Sequence, residues 1–324
     1  MALPIAPIIG TLSDNLRLRK TVMPMPKRRL TGWADGLNIP RGGETVLYTG
    51  HMYQMVPSIA AMEARIAKFS QHKLAPKAVR IGRVLNRLVN ALPFVIRPGA
   101  EEQARANKRL RNIARLLQAA EVSFGYLYEE EQYAGALVCD LGMEEVFQAH
   151  ARQLYAMLKK NGVRRVITVD PHTGDMLANV YPKFIEDYDL EVKSYLEVLA
   201  ESTIKPKRAL DSDVVVHDSC IYARHLSVVG PPRDLLARSG ARLSTPANGG
   251  KATHCCGGPA ESLYPEKARA IADKRVAQLA AEGGKEVVTM CPLCLLNLQG
   301  AANGNLSIRD ISEHLVEAFC EKQS

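Results

Sequence analysis

The chain has 324 residues, of which 47% are hydrophobic and 23% charged, as is ordinary for a folded globular protein. This length can bury a large core in two domains, and no apolar run approaches the roughly 20 residues of a membrane-spanning helix. The net charge of +8 comes without aromatic interleaving or a nucleic-acid motif, which argues against a nucleic-acid partner.

The N-terminal segment, MALPIAPIIGTLSDN, is apolar but lacks the positive cluster and the small-residue cleavage site of a signal peptide. We therefore expect a cytoplasmic protein whose seven cysteines lie in a reducing compartment. Clustered cysteines in that compartment favour metal binding or redox chemistry over structural disulfides.

Positive charge is concentrated between Ala60 and Gln118, which contain thirteen Lys or Arg against three Glu. Within this stretch, AVRIGRVLNRLVNAL (78–92) has the periodicity of an amphipathic helix with Arg80, Arg83 and Arg87 on a basic face. Three interpretations stay open: a solvated face of an ordinary helix, a docking surface for an acidic partner subunit, or adhesion to anionic lipid.

Five cysteines of the C-terminal half follow a regular pattern. DVVVHDSC (213–220) and KEVVTMCPLC (285–294) each predict a short strand that ends at cysteines, and HCCGG (254–258) lies between them. The gap on each side of the adjacent cysteine pair is 34 residues. Because open α/β sheets place their sites at the carboxyl ends of strands, these cysteines are predicted to form a site.

The same order of elements recurs upstream. ETVLYTGHM (44–52) parallels the strand at 213–221, and the helical pattern at 142–162 parallels that at 265–284. The cysteines are replaced as follows: His51 for Cys220, Tyr133 and Ala134 for Cys255 and Cys256, and Asp170-Pro171-His172-Thr173 for the Cys291–Cys294 segment. The retained Gly135 and Pro171 indicate that the fold was copied while the site was dismantled.

Thiolates are soft ligands that suit zinc, Cu(I) and iron–sulfur clusters. Tetrahedral zinc and an ordinary cubane cluster each take four cysteines. The fifth thiol is therefore a spare, a redox partner or a ligand of a less usual cluster.

HDSC (217–220), HCCGGP (254–259) and CPLC (291–294) closely resemble the CCG domain. That domain occurs as a tandem pair in the B-type subunit of heterodisulfide reductase and in iron–sulfur subunits of several dehydrogenases. The resemblance covers about residues 44–318. It implies that one [4Fe-4S] cluster of non-cubane type is ligated by the following residues: Cys220, Cys255, Cys256, Cys291 and Cys294. Because the first module keeps none of its cysteines, single-cluster chemistry is expected instead of disulfide cleavage between two clusters.

The expected fold is α/β, with two pseudo-symmetric CCG modules of short strands flanked by helices. The predicted domains are an N-terminal extension (1–43), a degenerate module (44–200) with a basic helical insertion at about 60–118, and an intact module (201–324).

Further side chains of the predicted site carry weaker expectations. His254 is either a proton or hydrogen-bond donor to cluster-bound sulfur, or a structural histidine, and Lys251 either attracts an anionic substrate or is merely solvated. Gly257 and Gly258 are predicted to let the backbone close around inorganic sulfur. The replacement residues His51, Asp170 and His172 bind a metal, line a substrate pocket or are relics of the lost site.

The predicted function is that of an oxidoreductase subunit in a heterodisulfide reductase-like complex. Its substrate would be a thiol, a disulfide or lipoyl-carrier sulfur. No dinucleotide-binding GxGxxG follows a strand, so a flavin or iron–sulfur partner subunit must exchange the electrons. One alternative is an electron-transfer subunit of a quinone-linked dehydrogenase of the glycerol-3-phosphate, lactate, glycolate or succinate type, with at most peripheral membrane contact. Another is a non-catalytic scaffold stabilised by zinc.

Overall fold

The computed structural model describes residues 5–69, 75–90, 96–258, 264–284 and 286–321. The N-terminal half contains these elements: α1 (Ile5–Arg19), α2 (Lys27–Thr31), β1 (Thr45–Tyr48), α3 (Met52–Phe69), α4 (Ala75–Leu88), α5 (Ala100–Ala119), α6 (Ala136–Asp140), α7 (Glu144–Lys160), β2 (Arg165–Thr168), α8 (Pro171–Asp175), β3 (Glu191–Ser194) and α9 (Tyr195–Glu201). The C-terminal half contains β4 (Asp213–His217), α10 (Cys220–Arg224), α11 (Gly230–Arg238), β5 (Arg242–Ser244), α12 (Pro265–Ala280), β6 (Glu286–Thr289), α13 (Pro292–Ala302), β7 (Ser307–Asp310) and α14 (Ile311–Phe319).

The strands form two parallel sheets, one in each half. The first has the order β1-β2-β3, and the second has the order β5-β4-β6-β7. At the free edge of β1, Gly125 accepts from Leu47 N at 2.8 Å and donates to Thr45 O at 2.9 Å. A Cβ at Gly125 would lie 1.7 Å from Gly42 O, so only glycine fits there. The Gly125 segment thus occupies the position in the first sheet that β5 occupies in the second.

Both faces of each sheet are covered, and β1, β2, β4 and β6 accordingly each contain at least three consecutive buried residues, whereas β3 and β7 also contain charged residues. Val214 and Val216 point into a core shared with Leu47 of the first sheet, whereas Val215 points to the opposite side, against the cysteine-bearing elements. The shared core also includes α5 and α14, and Tyr53 Oη donates to Asp310 Oδ2 at 2.7 Å between the halves. The expected α/β class is confirmed.

Two glycines support the predicted internal repeat. Gly135 and Gly257 both adopt positive φ angles, +87° and +84°. A Cβ at Gly135 would collide with Phe147 of α7, and a Cβ at Gly257 would collide with Ala268 of α12. The domain limits themselves stay predictions. Helix α5 precedes the Gly125 segment as α11 precedes β5.

The helix expected at 78–92 is present as α4 up to Leu88, while positions 91 and 92 lie outside the described residues. Within the described ranges, no helix combines the length and the apolar character that a bilayer crossing requires.

Candidate metal centre

Parallel strands deliver two groups of cysteines to one edge of the second sheet. β4 ends at His217, and Cys220 begins α10 directly after it. β6 pairs with β4 in parallel, and Cys291 follows β6 as the N-cap of α13, with Pro292 at the first helical position. Proline there pre-sets the helical φ and needs no hydrogen-bond partner for its nitrogen.

The five cysteines that the sequence singled out lie together. Their thiols form one unbroken series of contacts, in the order Cys220, Cys255, Cys256, Cys294 and Cys291. All are free thiols; the last three of the series are buried and the first two half-buried. Their role as ligands stays a prediction, but the arrangement brings five sulfurs from three chain segments to one place.

Two of the five thiols, Cys255 and Cys291, have a lowered pKa, whereas hydrogen bonds with neighbouring thiols raise the pKa of Cys220, Cys256 and Cys294. Hydrogen bonds with Cys220 and Cys256 hold the pKa of Cys255 far below its ordinary value. Burial alone would raise the pKa of Cys291, but hydrogen bonds with Cys294 and with His172 lower it. Thiolates gathered in this way favour a cationic occupant.

The remaining cysteines, Cys139 and Cys320, lie apart from this set. Each is half-buried and packs against a hydrophobic core, and burial raises the pKa of both thiols. They are packing residues, as free cysteines commonly are.

Asp218 holds the loop that carries the adjacent cysteine pair. Its carboxylate accepts from Arg233 Nη1 and Nη2 at 2.6 and 2.8 Å and from the Gly250 amide at 2.6 Å. Its backbone carbonyl accepts from Thr253 Oγ1 at 2.9 Å. A buried bidentate pair of this kind fixes the geometry of the 249–256 segment next to Cys220.

Both glycines after the cysteine pair allow a close backbone approach. The Gly257 amide donates to Cys255 Sγ at 3.3 Å, and a Cβ at Gly257 would lie 2.5 Å from Ala268 O. A Cβ at Gly258 would lie 3.4 Å from Cys256 Sγ. The backbone therefore closes around the protein's own sulfurs, while the predicted contact with inorganic sulfur is untested and Pro259 lies outside the described residues.

Three buried nitrogens around the thiols have no hydrogen-bond partner in the described part of the chain: His217 Nε2, Arg275 Nη2 and His254 Nε2. A ring nitrogen of His217 and the sulfurs of Cys256 and Cys294 all lie within 4.8 Å of one another. Arg275 is fully buried, and its electrostatic neighbours include the same two thiols.

These three unpartnered nitrogens indicate which kind of occupant the site fits. A buried donor without an acceptor costs about 1–3 kcal/mol, so three such nitrogens beside one group of thiols favour an occupant that accepts hydrogen bonds. Inorganic sulfides are acceptors that a bare zinc ion does not supply. These donors therefore fit an iron–sulfur cluster better than a single zinc ion.

His254 and Lys251, the predicted catalytic pair, lie at the outer rim. His254 is half-buried beside Cys255, and burial lowers its pKa, with Lys274 and Arg275 adding to the effect, which favours the neutral ring. Lys251 is exposed. Its backbone carbonyl accepts a hydrogen bond from Arg224 Nε at 3.1 Å. Their catalytic roles stay predictions.

The N-terminal half supplies the opposite wall. His172 at the start of α8 contacts the Cys291 thiol; burial acts against its charged form, but Cys291 and Asp170 raise the pKa of His172 to about 9. Asp170 caps α8 by accepting from the amides of His172 and Thr173 at 2.9 and 3.0 Å, and burial raises its pKa to about 6.

His51 lies beside a different residue. Its Nε2 is 3.9 Å from Glu131, and burial lowers the pKa of His51 to about 4 and raises that of Glu131 to about 8. Among the described residues, the compact group of metal-ligating side chains is the one around Cys256, and it includes neither His51 nor Asp170. The structure therefore lends no support to a separate metal in the emptied site, and His172 is the replacement residue that meets the thiols.

The sequence pattern indicated no site role for His217, Asp218, Arg233 or Arg275. Arg275 did leave a signal: it is three residues after Ala272 and four before Leu279, on the apolar face of α12. A charged residue at such a position must find a buried partner.

Comparison with known proteins gives a family match over the cysteine-bearing segment. The profile of the cysteine-rich domain family, CCG, matches residues 214–299. The C-terminal half contains a CCG cysteine-rich domain. This domain spans all five cysteines of the set, from Cys220 to Cys294.

Relatives of the chain are iron–sulfur and redox proteins by name. It is 31% identical over 225 residues to the EtfAB:quinone oxidoreductase of Syntrophomonas wolfei, covering 64% of this chain and 31% of the relative. It is 32% identical over 201 residues to the probable iron-sulfur-binding oxidoreductase FadF of Bacillus subtilis, covering 60% and 28%. It is 26% identical over 220 residues to a subunit of the dihydromethanophenazine:CoB–CoM heterodisulfide reductase of Methanosarcina mazei, covering 64% and 54%.

The chain thus spans between 28% and 54% of the length of these relatives. At the coarse level, the expectation of an iron–sulfur protein related to oxidoreductase subunits is confirmed. The cluster type, the substrate and the partners are matters for proposal.

Proposed function

We propose that this chain is the iron–sulfur redox subunit of a cytoplasmic heterodisulfide reductase-like complex. One [4Fe-4S] cluster of non-cubane type would be held by Cys220, Cys255, Cys256, Cys291 and Cys294. The observation that carries the proposal is the unbroken series of contacts among these thiols. One tetrahedral ion or one ordinary cubane would leave a thiol of the five unbound, whereas the non-cubane cluster that the resemblance implies takes all five.

The half-buried edge formed by Cys220 and Cys255 is where a substrate would approach. Arg224 and Lys251 are exposed beside it, and Arg224 is held in place by the carbonyls of Lys251 and Thr253. Two cations at the rim attract an anionic thiol, persulfide or disulfide. The opposite wall, by contrast, contains the buried His172 and Asp170, so approach from the outer rim is favoured.

When bound, an iron–sulfur cluster supplies electron transfer. Reduction of a disulfide to two thiols consumes two electrons and two protons, and oxidation of two thiols releases them. The chain's own contribution is to hold the thiol ligands, to present hydrogen-bond donors from His217 and Arg275, and to attract the substrate with Arg224 and Lys251. The electrons pass to or from a flavin or iron–sulfur partner subunit.

A second candidate function is electron delivery toward a membrane quinone. It is favoured by the relative named EtfAB:quinone oxidoreductase, which shares 31% identity with this chain over 225 residues. In that case the same cluster would pass electrons to a quinone-linked partner, and no sulfur substrate would bind at the rim.

Metal and sulfide analysis of anaerobically purified protein tests the cluster. We expect a brown protein with about four iron and four sulfide per chain. Cys256→Ala should lose most of that iron, whereas Cys320→Ala, which removes a half-buried thiol outside the set, should keep it. A colourless protein with one zinc and no sulfide would support the scaffold alternative, and an unchanged Cys256→Ala spectrum would contradict the five-ligand assignment.

Reoxidation of the reduced protein separates the two functions. Under anaerobic stopped flow, an anionic disulfide should restore the oxidised absorbance, and Arg224→Gln combined with Lys251→Gln should slow this step. If a quinone analogue alone restores the absorbance, the second function is correct.

A further inference from the structure

Helix α4 exposes its large apolar side chains, whereas an ordinary surface helix buries them. The exposed fractions of its large apolar side chains are 60% for Ile81, 60% for Val84, 56% for Leu85, 79% for Leu88 and 64% for the adjoining Val89. We call these five side chains the α4 apolar face. Among the described residues, eight large apolar side chains are exposed, and five of the eight make up the α4 apolar face.

The inward face of α4 is polar. Arg83 Nε and Arg87 Nε each donate to Asp14 Oδ2 of α1 at 2.8 Å, and Asn86 Nδ2 donates to Asn15 Oδ1 at 2.7 Å. Asp14 and Asn86 are buried, and burial would raise the pKa of Asp14, but both arginines lower it. These ionic contacts hold the α4 apolar face toward solvent.

Gly10 of α1 leaves room for the Arg83 guanidinium, since a Cβ at Gly10 would lie 2.1 Å from Arg83 Cζ. The orientation of α4 is therefore determined chiefly by the ionic and amide contacts with α1.

Basic side chains border the α4 apolar face. Lys77 and Arg80 are exposed, and the helix contains no acidic residue. Helical periodicity places Lys77 one turn before Ile81 on the outer face and Arg80 at its border. Neither cation forms an ion pair with any residue that the structure describes, so both are available to an external anion.

We propose that the α4 apolar face, with Lys77 and Arg80, binds the protein peripherally to an anionic phospholipid surface. The aliphatic side chains would enter the headgroup–acyl boundary while the two cations contact lipid phosphates. Charge complementarity favours this occupant. The face is purely aliphatic, whereas the cores of protein–protein interfaces are enriched in aromatic residues and methionine.

Co-sedimentation with vesicles tests this proposal on the full-length, cluster-loaded chain. We expect binding to phosphatidylcholine vesicles that contain phosphatidylglycerol, weak binding to phosphatidylcholine alone, and loss of binding in high salt. Leu85→Asp combined with Leu88→Asp should lower the partition coefficient about tenfold or more, and Arg80→Gln about fivefold.

Tyr264→Asp is the matched control, because Tyr264 is 50% exposed and lies outside the α4 apolar face. It introduces one of the two negative charges that the aspartate pair adds, and it should leave vesicle binding unchanged. Iron content and far-ultraviolet circular dichroism show that each variant is folded; if the aspartate pair misfolds, Leu85→Ser combined with Leu88→Ser replaces it.

Three results would overturn the proposal. The wild-type protein could stay in the supernatant with anionic vesicles at low salt. The Tyr264→Asp control could lose binding as fully as the aspartate pair. The wild type could ignore vesicles while the aspartate pair alone loses a co-purifying subunit, which would make the face a protein interface. None of these results depends on the identity of the metal centre.

Discussion

Arg275 and His217 form a buried pair in which Arg275 Nε donates to His217 Nδ1 at 3.0 Å. Because Nδ1 accepts, the ring proton of a neutral His217 lies on Nε2, which has no partner in the described part of the chain. Burial lowers the pKa of His217 to about 3, and the positive charge of Arg275 adds to this effect, so the ring is neutral. The pair therefore presents an N–H donor and a buried positive charge to the sulfurs of Cys256 and Cys294.

This relationship predicts an effect of Arg275→Gln on the reduction potential. Donors and positive charge stabilise the more negative, reduced state of a cluster. The potential should therefore fall by on the order of 50 mV, the equivalent of about 1 kcal/mol for a one-electron couple. Electron paramagnetic resonance during a redox titration measures it.

Two further variants at α12 complete that experiment. Arg275→Lys retains the charge and should recover part of the lost reduction potential. Lys274→Gln, at the exposed neighbouring position, should change the potential far less than Arg275→Gln. A potential that is unchanged in Arg275→Gln at full iron content would rule out the donor role.

The contact of His172 with Cys291 predicts that the N-terminal half tunes the centre. His172→Asn should preserve iron content but change the resonance spectrum and potential, because one hydrogen bond to a ligand sulfur is lost. The control is His225→Asn, at a half-exposed histidine that pairs with Asp175 at 2.8 Å instead of with a thiol. Identical spectra for His172→Asn and wild type would make His172 a relic.

Gly257 should tolerate no side chain. Gly257→Ala and Gly283→Ala both place alanine at a positive φ, +84° and +73°, which costs each about 1 kcal/mol. Only Gly257→Ala also pushes a Cβ to 2.5 Å from Ala268 O, since a Cβ at Gly283 would meet nothing within 4 Å. Gly257→Ala should therefore lose iron and lower the melting temperature more than its control, and equal losses would contradict this account.

Glu131 should make stability fall with rising pH. Burial raises its folded pKa to about 8, above the ordinary 4.5, although Thr49 hydrogen bonds oppose the shift. Between these values the folded state retains a proton that the unfolded chain has released, so stability is fully present below about pH 4.5 and declines as pH rises through 8. Thermal melts of Glu131→Gln should show a gain over wild type that grows from pH 5 to pH 9. A gain that is constant with pH, or that also occurs in the exposed neighbour's variant Glu130→Gln, would disprove this role.

The sequence was sufficient to predict the α/β class, the repeat and the cysteine group. These features depend on local information: strand periodicity, a proline or glycine at a turn, and thiols at equal intervals. Gly135 illustrates this, because the alignment retained a glycine opposite Gly257 as a sign of a copied fold, and both glycines adopt a positive φ.

The tertiary structure alone decided which side chains meet. Arg275 reaches His217 across 58 positions of sequence, and Arg83 reaches Asp14 across 69. The sequence pattern of α4 left a solvated basic face, a partner surface and a lipid surface open, with Arg80, Arg83 and Arg87 on one face. In the structure Arg83 and Arg87 bond Asp14 of α1, Arg80 stays exposed, and the aliphatic side chains face outward. Local spacing determines periodicity and chemistry, whereas the partner of a buried charge depends on how distant helices and sheets pack.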